Sequence, residues 1–294
     1  MRKVLTRLAA RADVTGDNAT FSFASNILPA SRPGQSLVGV EFRLRSATAD
    51  VADFTRVRAY SDGVLFYDQT VLHERCLQER YLKTNRSPLT TSGATSTTVI
   101  DGGGFTVWFN DMRAAQRELR DRMSAPHGEI SFELVTAATG PAAATTVDLV
   151  GIYSDAPVAA FCYRTSAVIN IANGVTNGIR QIDTPYPIIA YGIPYASATL
   201  ADAVTRWQTY LKNVLIFDGD LGSAAATEAD DSPVYDTGSI VTTPGTGVVI
   251  WKDTAGYALP GGAGSYFQVD TGANAAASLA TVEAPIWGAM PLRA

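Results

Sequence analysis

Along most of this chain apolar and polar residues alternate at period two, the pattern of strands that bury one face and leave the other in solvent. Residues 36–47, SLVGVEFRLRSA, set Val38, Val40, Phe42 and Leu44 on one side, and residues 21–30, FSFASNILPA, alternate in the same way. RVRAYSDGVLFYD, residues 56–68, predicts a hairpin that turns at Asp62-Gly63, because glycine accepts the positive φ of a tight turn. Further strands are predicted at STTVID, FTVWFN, EISFELVTAA and TVDLVGIYS in the first half. In the second half they fall at AVINIA, YPIIAYGIPY, TRWQTYLKNVLIFD, GVVIWKD, SYFQVD and LATVEAPIWG. Gly, Pro and Asn separate these runs and no strand–helix alternation appears, so the expected class is all-β, built as antiparallel sandwiches. Two segments break the pattern. Residues 69–85 carry Val71, Leu72, Cys76, Leu77 and Tyr81 at helical spacing, with Glu74, Arg75, Glu79 and Arg80 for a solvated face. Residues 110–123 predict a second short helix, capped by Asn110 or Asp111.

The strand pattern also repeats. TRVRAYSDGVLFYD, residues 55–68, aligns without a gap on TRWQTYLKNVLIFD, residues 205–218, at an offset of 150. Six of the fourteen positions are identical: Thr55/Thr205, Arg56/Arg206, Tyr60/Tyr210, Val64/Val214, Leu65/Leu215 and Asp68/Asp218. Average composition would supply about one. Where the copies differ, Phe66 becomes Ile216 and Tyr67 becomes Phe217, which keeps a strand's apolar body. Gly63 becomes Asn213, the other residue that tolerates a left-handed turn. Upstream, SATADVADFTR (46–56) matches SATLADAVTR (197–206) with one gap, and ATFSFASN (19–26) resembles AVINIANG (167–174) at an offset of 148. A repeat of half the chain length implies two copies of one domain, and 294 residues suit two domains of about 150. The turn signal at Asp155-Ala156-Pro157 divides them into residues 18–156 and 157–294, after an N-terminal segment 1–17.

Charge then narrows the function classes. Only 17% of residues are charged and the net charge is −5, which argues against a nucleic-acid-binding surface as the main role. No apolar run approaches the roughly 20 residues of a membrane-spanning helix. Residues 1–17 are the exception to the acidity: Arg2, Lys3, Arg7 and Arg11 interleave with Val4, Leu5, Leu8 and Ala9. Lys3 and Arg7 interrupt any secretory apolar core. The segment reads as a basic amphipathic arm suited to an acidic lipid surface or a neighbouring subunit, against a plain frayed terminus.

Candidate chemistry is sparse. His73 and His127 are the two histidines, neither sits in an HExxH or HxH arrangement, and His73 reads as a surface or interfacial residue. No GxSxG elbow occurs. Gly102–Gly104 and PGGAG at residues 260–264 lack the GK[ST] ending of a phosphate loop and read as tight turns. Cys76 and Cys162 lack metal spacing and read as reduced, buried small apolar residues. Asp218, Asp220, Glu228, Asp230 and Asp231 read as a solvated acidic loop, with a structural calcium clip at a subunit contact as the alternative. No catalytic site, resident cofactor or other metal is expected. Carboxylate pairs beside Trp207, Trp251 and Trp287 leave a sugar-cleaving or sugar-binding cleft open, whereas a Trp within an alternating strand reads first as core.

The order hairpin ending in Asp, amphipathic helix, strand, second helix and strand resembles the double jelly-roll major capsid proteins of membrane-containing icosahedral phages, corticovirus-type first and tectivirus-type more distantly. The residues that carry the resemblance are RVRAYSDGVLFYDQTVLHERCLQERY, GFTVWFNDMRAAQRELRDRMSAPHGEISFELVTAA and the second hairpin NVLIFDG. The second half departs from the pattern: its hairpin leads into DLGSAAATEADDSPVYD instead of an amphipathic helix. The resemblance implies two tandem eight-stranded jelly-roll sandwiches with short helical insertions. It also implies a non-enzymatic subunit that trimerises into pseudo-hexameric capsomers of a virion shell assembled in the host cytoplasm. Implied partners are neighbouring capsomers, vertex and minor virion proteins, and internal membrane lipids met by Arg2, Lys3, Arg7 and Arg11, with no direct nucleic-acid contact. A carbohydrate-active jelly roll and a spike or accessory virion protein are the alternatives. An exposed Trp would favour the first, and low copy number in a virion would favour the second.

Overall fold

The computed structural model describes residues 4–23, 31–46, 49, 53–76, 104–110, 123–141, 145–170, 175–194, 204–220, 249–254, 259–272 and 281–292. Two compact units share the chain: Met1–Tyr163 with Pro291–Ala294, and Arg164–Met290. In the first, the strands are β1 (Val4–Asp13), β2 (Thr20–Phe23), β3 (Ser31–Arg32), β4 (Gln35–Arg45), β5 (Phe54–Ser61) and β6 (Val64–Thr70), then helix α1 (Val71–Cys76), and β7 (Gly104–Trp108), β8 (Met123–Ser124), β9 (Ile130–Thr136) and β10 (Thr146–Ser154). One sheet runs β1-β10-β4 with β7 and the two-residue β3 both paired to β4, and the other runs β2-β9-β5-β6. In the second, β11 (Ala160–Asn170), β12 (Gly178–Gln181), β13 (Pro187–Pro194), β14 (Val204–Leu211), β15 (Val214–Gly219), β16 (Val249–Asp253), β17 (Leu259–Pro260), β18 (Tyr266–Thr271) and β19 (Thr281–Pro291) follow. Here the sheets are β11-β19-β13-β16, with β17 beside β13, and β12-β18-β14-β15.

With the two-residue strands set aside, both units obey one rule. The first, eighth, third and sixth strands form one sheet, and the second, seventh, fourth and fifth form the other. That is the double-sheet arrangement of a jelly roll, so the chain is two tandem eight-stranded jelly rolls.

Alternation sets the packing. In β9 the burial runs buried, half-buried, buried throughout, and Phe132 and Leu134 face the core. Val38, Val40, Phe42 and Leu44 of β4 are all buried, as the sequence pattern requires. The first core centres on Phe42, stacked on Phe105 at 4.9 Å between ring centroids and met edge-on by Phe23 and Phe132 at 6.1 and 6.2 Å. The second joins Ile188, Tyr191 and Ile193 of β13 with Val204, Trp207 and Leu211 of β14 and Phe267 and Val269 of β18, so both of its sheets contribute their inner faces. Burying each large apolar side chain contributes about 1.5–3 kcal/mol.

The structure corrects the expected free arm. Val4–Asp13 is strand β1, antiparallel to β10, with Arg11 opposite Asp148 and Arg7 opposite Gly151. The strand lies at the edge of its sheet, and pairing to β10 satisfies its backbone on that side. Arg11 donates from Nε to Asp148 at 2.6 Å, and Arg45 donates to the other carboxylate oxygen at 2.6 Å. Burial alone would raise the pKa of Asp148, yet hydrogen bonds from Arg11 and Arg45 outweigh it and hold the carboxyl below its usual value. Arg2 and Lys3 lie outside the described residues.

The division between units falls after Tyr163, inside β11, rather than at 156/157. The turn signal at Pro157 is genuine in that it precedes the strand, but Ala160 and Phe161 pair in parallel with Met123 and Ser124 of the first unit. The proposed match of residues 19–26 with 167–174 is also corrected. Residues 20–23 are the second strand of their jelly roll, whereas residues 167–170 belong to the first strand of theirs. Of the two expected helices, α1 is seen at Val71–Cys76. Residues 77–85, residues 111–122 and the strand expected at residues 96–101 lie outside the described residues.

Candidate functional site

The repeat legible in the sequence is the hairpin β5–β6 in one jelly roll and β14–β15 in the other, the fourth and fifth strands of each. Their registers superpose at an offset of 150. Arg58 faces Asp68, Ala59 faces Tyr67, Tyr60 faces Leu65 and Ser61 faces Val64. In the second copy Gln208 faces Asp218, Thr209 faces Phe217, Tyr210 faces Leu215 and Leu211 faces Val214. A register shift falls at the same place in both, between Ala59 and Tyr60 and between Thr209 and Tyr210. The turns also coincide: Asp62 and Gly63 take φ of 48° and 77°, Lys212 and Asn213 take 49° and 63°. Two consecutive positive φ values make a type I′ turn, whose twist matches that of the flanking strands. Gly63→Val and Asn213→Val each force a β-branched residue into this region. Each is expected to cost about 1–3 kcal/mol, read as a lowered melting temperature; unchanged melting in both would contradict the equivalence of the turns.

The loop ahead of the seventh strand ties down each turn. Asp62 N donates to Glu129 O at 3.0 Å, and Glu129 N donates back to the Asp62 carboxylate at 2.9 Å. In the second copy Asn213 N donates to Gly264 O at 2.7 Å and Lys212 N to Ser265 Oγ at 3.0 Å. A second matched device was not legible in the sequence. Thr136 closes β9 by donating from N and Oγ1 to Ala19 O while accepting from Ala19 N. Thr271 closes β18 by the same three bonds to Val175. The flanking residues differ in spacing, 117 apart against 96, so no single offset reveals the pair.

The outward surface of each hairpin has two halves. Toward the turn lie apolar groups: Val64 and Leu65 are 68% and 41% exposed, Val214 and Leu215 38% and 46%. Tyr60 donates to Glu133 at 3.0 Å, and burial together with that carboxylate raises the phenol's pKa. Tyr210 stacks on Tyr266 at 4.7 Å. Away from the turn lies an ion pair, Arg56 to Asp68 at 2.9 Å in one copy and Arg206 to Asp218 through two contacts of 2.8 and 2.7 Å in the other. The hydrogen bonds from Arg206 hold Asp218 below the usual carboxylate range. In the first copy Arg58 adds contacts of 3.6 Å to Asp68 and 3.4 Å to Glu133.

None of the six identical positions is buried in either copy. The inward-facing positions have all changed: Val57 is Trp207, Ala59 is Thr209, Ser61 is Leu211, Phe66 is Ile216 and Tyr67 is Phe217. Of the nine positions not buried in the first copy the duplicated segment thus keeps six, changing Arg58, Asp62 and Gly63, while every buried position is exchanged.

His73, expected at the surface or an interface, lies in α1 and is only 4% exposed, and burial, aided by the Arg56 charge, pushes its pKa down to about 3. Glu74, expected on a solvated face, is buried as well. Its carboxylate accepts from Tyr67 Oη at 2.5 Å and from Trp108 N at 3.2 Å, which pins the helix to β6 and β7. Thr70 Oγ1 caps the helix by accepting from His73 N at 3.1 Å. His127 is exposed, its ring edge-on to Phe161 at 4.9 Å. Cys162 is buried. Trp207 and Trp287 are core residues, the latter beneath the Arg164 guanidinium at 4.3 Å. Trp251's side chain lies outside the described set. Of the acidic loop, Asp218 is held by Arg206, while Glu228, Asp230 and Asp231 lie outside the described residues. Among the described residues no group of three or more His, Cys, Asp or Glu side chains could hold a metal ion, and no helix is long and apolar enough to cross a membrane.

No family model matches the sequence, and no curated protein matches it. Solved structures do. The major capsid protein P2 from bacteriophage PM2 is 14% identical with a TM-score of 0.56, covering 98% of each chain. The atomic structure of Sulfolobus Turreted Icosahedral Virus gives 9% identity and a TM-score of 0.61, covering 98% of this chain and 90% of that one. The PBCV-1 virus capsid gives 10% and 0.54, covering 98% and 94%. Over essentially its whole length, this chain therefore has the double jelly-roll fold seen in those capsid proteins.

Proposed function

We propose that this chain is the major coat subunit of an icosahedral viral shell, a structural protein resident in the virion. The supporting observation is one strand order written twice in one polypeptide, together with a shared outward face on the duplicated hairpins. Three such subunits present six similar lobes, so a trimer occupies positions in a shell that would otherwise need a true hexamer, and closed rings of this kind are the common outcome of rotational self-association. Subunits of a permanent shell make obligate contacts, which bury about 2,000–5,000 Å². The resemblance to coat proteins of membrane-containing phages supports lipid beneath the shell. Arg2, Lys3 and Arg7 are the basic positions for it, since Arg11 is engaged with Asp148. Capsomers, vertex and minor virion proteins are the remaining partners, and assembly takes place in the host cytoplasm. The reading is tested by the mass of the purified protein in light scattering, where a trimer is expected. A monomer at every concentration and salt would contradict it. In a stained gel of the virion the chain should be the dominant band; a minor band would favour an accessory virion protein.

A further inference from the structure

From the preserved outward face we infer that the duplicated hairpins are the contact between copies of this chain, the β5–β6 tip of one copy meeting the β14–β15 tip of the next. The inference rests on the coat-subunit reading. An exposed Val or Leu taken singly is ordinary on a protein surface. Here the same Val-Leu pair, the same Tyr and the same Arg–Asp pair stand at the same register on both jelly rolls, while every inward position beneath them has been exchanged. Core positions change together when a core is repacked as a whole. The Tyr and the Arg–Asp pair have partners within their own jelly roll, whereas the Val–Leu pair is solvent-exposed in both copies, and a contact made twice accounts for its retention. Aromatic and Arg groups around an apolar centre are also the composition of interface cores.

Charge selects the partner. Asp62 and Lys212 occupy the same turn position in the two copies with opposite sign, and both are exposed. A first tip against a second tip of another copy sets carboxylate against ammonium, whereas like tips set charge against like charge. Both groups keep their local bonds, Asp62 to Glu129 N and Lys212 Nζ to Ala263 O at 3.1 Å, so they stand oriented before the contact forms. A contact of unlike tips is head-to-tail, the kind of contact from which rings are built when the rotation between subunits closes. A lipid surface is disfavoured: around the first tip Arg56 and Arg58 stand against Asp62, Asp68 and Glu133. Around the second, Arg206 and Lys212 stand against Asp218 and Asp270, so neither face is basic.

Sedimentation velocity on the full chain over a concentration series tests this. Val64→Ser with Leu65→Ser, and separately Val214→Ser with Leu215→Ser, should each raise the concentration for half-association about tenfold, with the melting temperature held. Lys212→Asp should do the same, and adding Asp62→Lys should restore association. If Asp62→Lys lowers the melting temperature, the serine pairs decide. Variants that associate like the parent overturn the inference while leaving the coat reading intact. A parent chain that never associates overturns both. Serine pairs that lose flotation with anionic phosphatidylserine vesicles, but not self-association, overturn it in favour of a lipid contact.

Discussion

Trp207→Ala is expected to cost about 3–5 kcal/mol and to unfold the second jelly roll while leaving the first protected. Trp207 is 1% exposed at the centre of the second core, tilted against Phe267 at 5.3 Å between ring centroids, and its Nε1 donates to Thr209 Oγ1 at 3.3 Å. Removing the indole opens a cavity that β13, β14 and β18 all line, so no single rotamer change closes it. Phe42→Ala is the counterpart in the first core, where Phe105, Phe23 and Phe132 would each lose a ring partner, at a similar cost. Hydrogen exchange read by mass spectrometry separates the effects: protection should fall in β12–β19 for Trp207→Ala and in β1–β10 for Phe42→Ala. Equal loss throughout the chain after either substitution would mean a single cooperative core. The same experiment bears on the sugar-cleft alternative, because a Trp that holds a core together is not a platform for a sugar ring.

Acidification is the second large effect. His73 is buried and its pKa is lowered to about 3 from the ordinary 6.5, chiefly by burial and then by the Arg56 charge. The folded state therefore binds fewer protons than the unfolded state at all pH values between these two. The stability that the neutral ring allows is fully present above about 6.5 and is lost as pH falls through the window toward 3, by about 1.4 kcal/mol per pH unit. At pH 4 the loss reaches about 3 kcal/mol. A midpoint of urea unfolding that declines steadily from pH 6.5 to 4, and declines less in His73→Gln, is the expected result. The same substitution at the exposed His127 is the control. A decline as steep in His73→Gln as in the parent would assign the acid sensitivity to other groups.

The sandwich class and the repeat were legible because they rest on local signals. Period-two alternation in β4, β9 and β18 is a direct consequence of one buried face, and the turns at Asp62-Gly63 and Lys212-Asn213 need residues that accept positive φ. What failed depended on tertiary context. Residues 4–13 read as an arm because their charges are those of an exposed segment. Only the antiparallel pairing with β10 and the carboxylate of Asp148 reveal them as the first strand of a jelly roll. Glu74 and His73 read as solvated because helical periodicity alone cannot tell a six-residue helix laid across β6 and β7 from a free one. The short β2 and β12 carry too few residues to align by sequence, and the similarity of residues 19–26 to 167–174 reflected strand composition rather than position. The outward face was half legible. Its six identities are visible in the sequence, but that none is buried follows only from the fold.

Cryo-electron microscopy of the purified, assembled protein tests the central claim most directly. Twofold repetition of one jelly roll predicts class averages with three subunits and six similar lobes in a ring, in which the β5–β6 and β14–β15 hairpins superpose from lobe to lobe. Particles with three undivided lobes, or with a single lobe at every concentration, would contradict it.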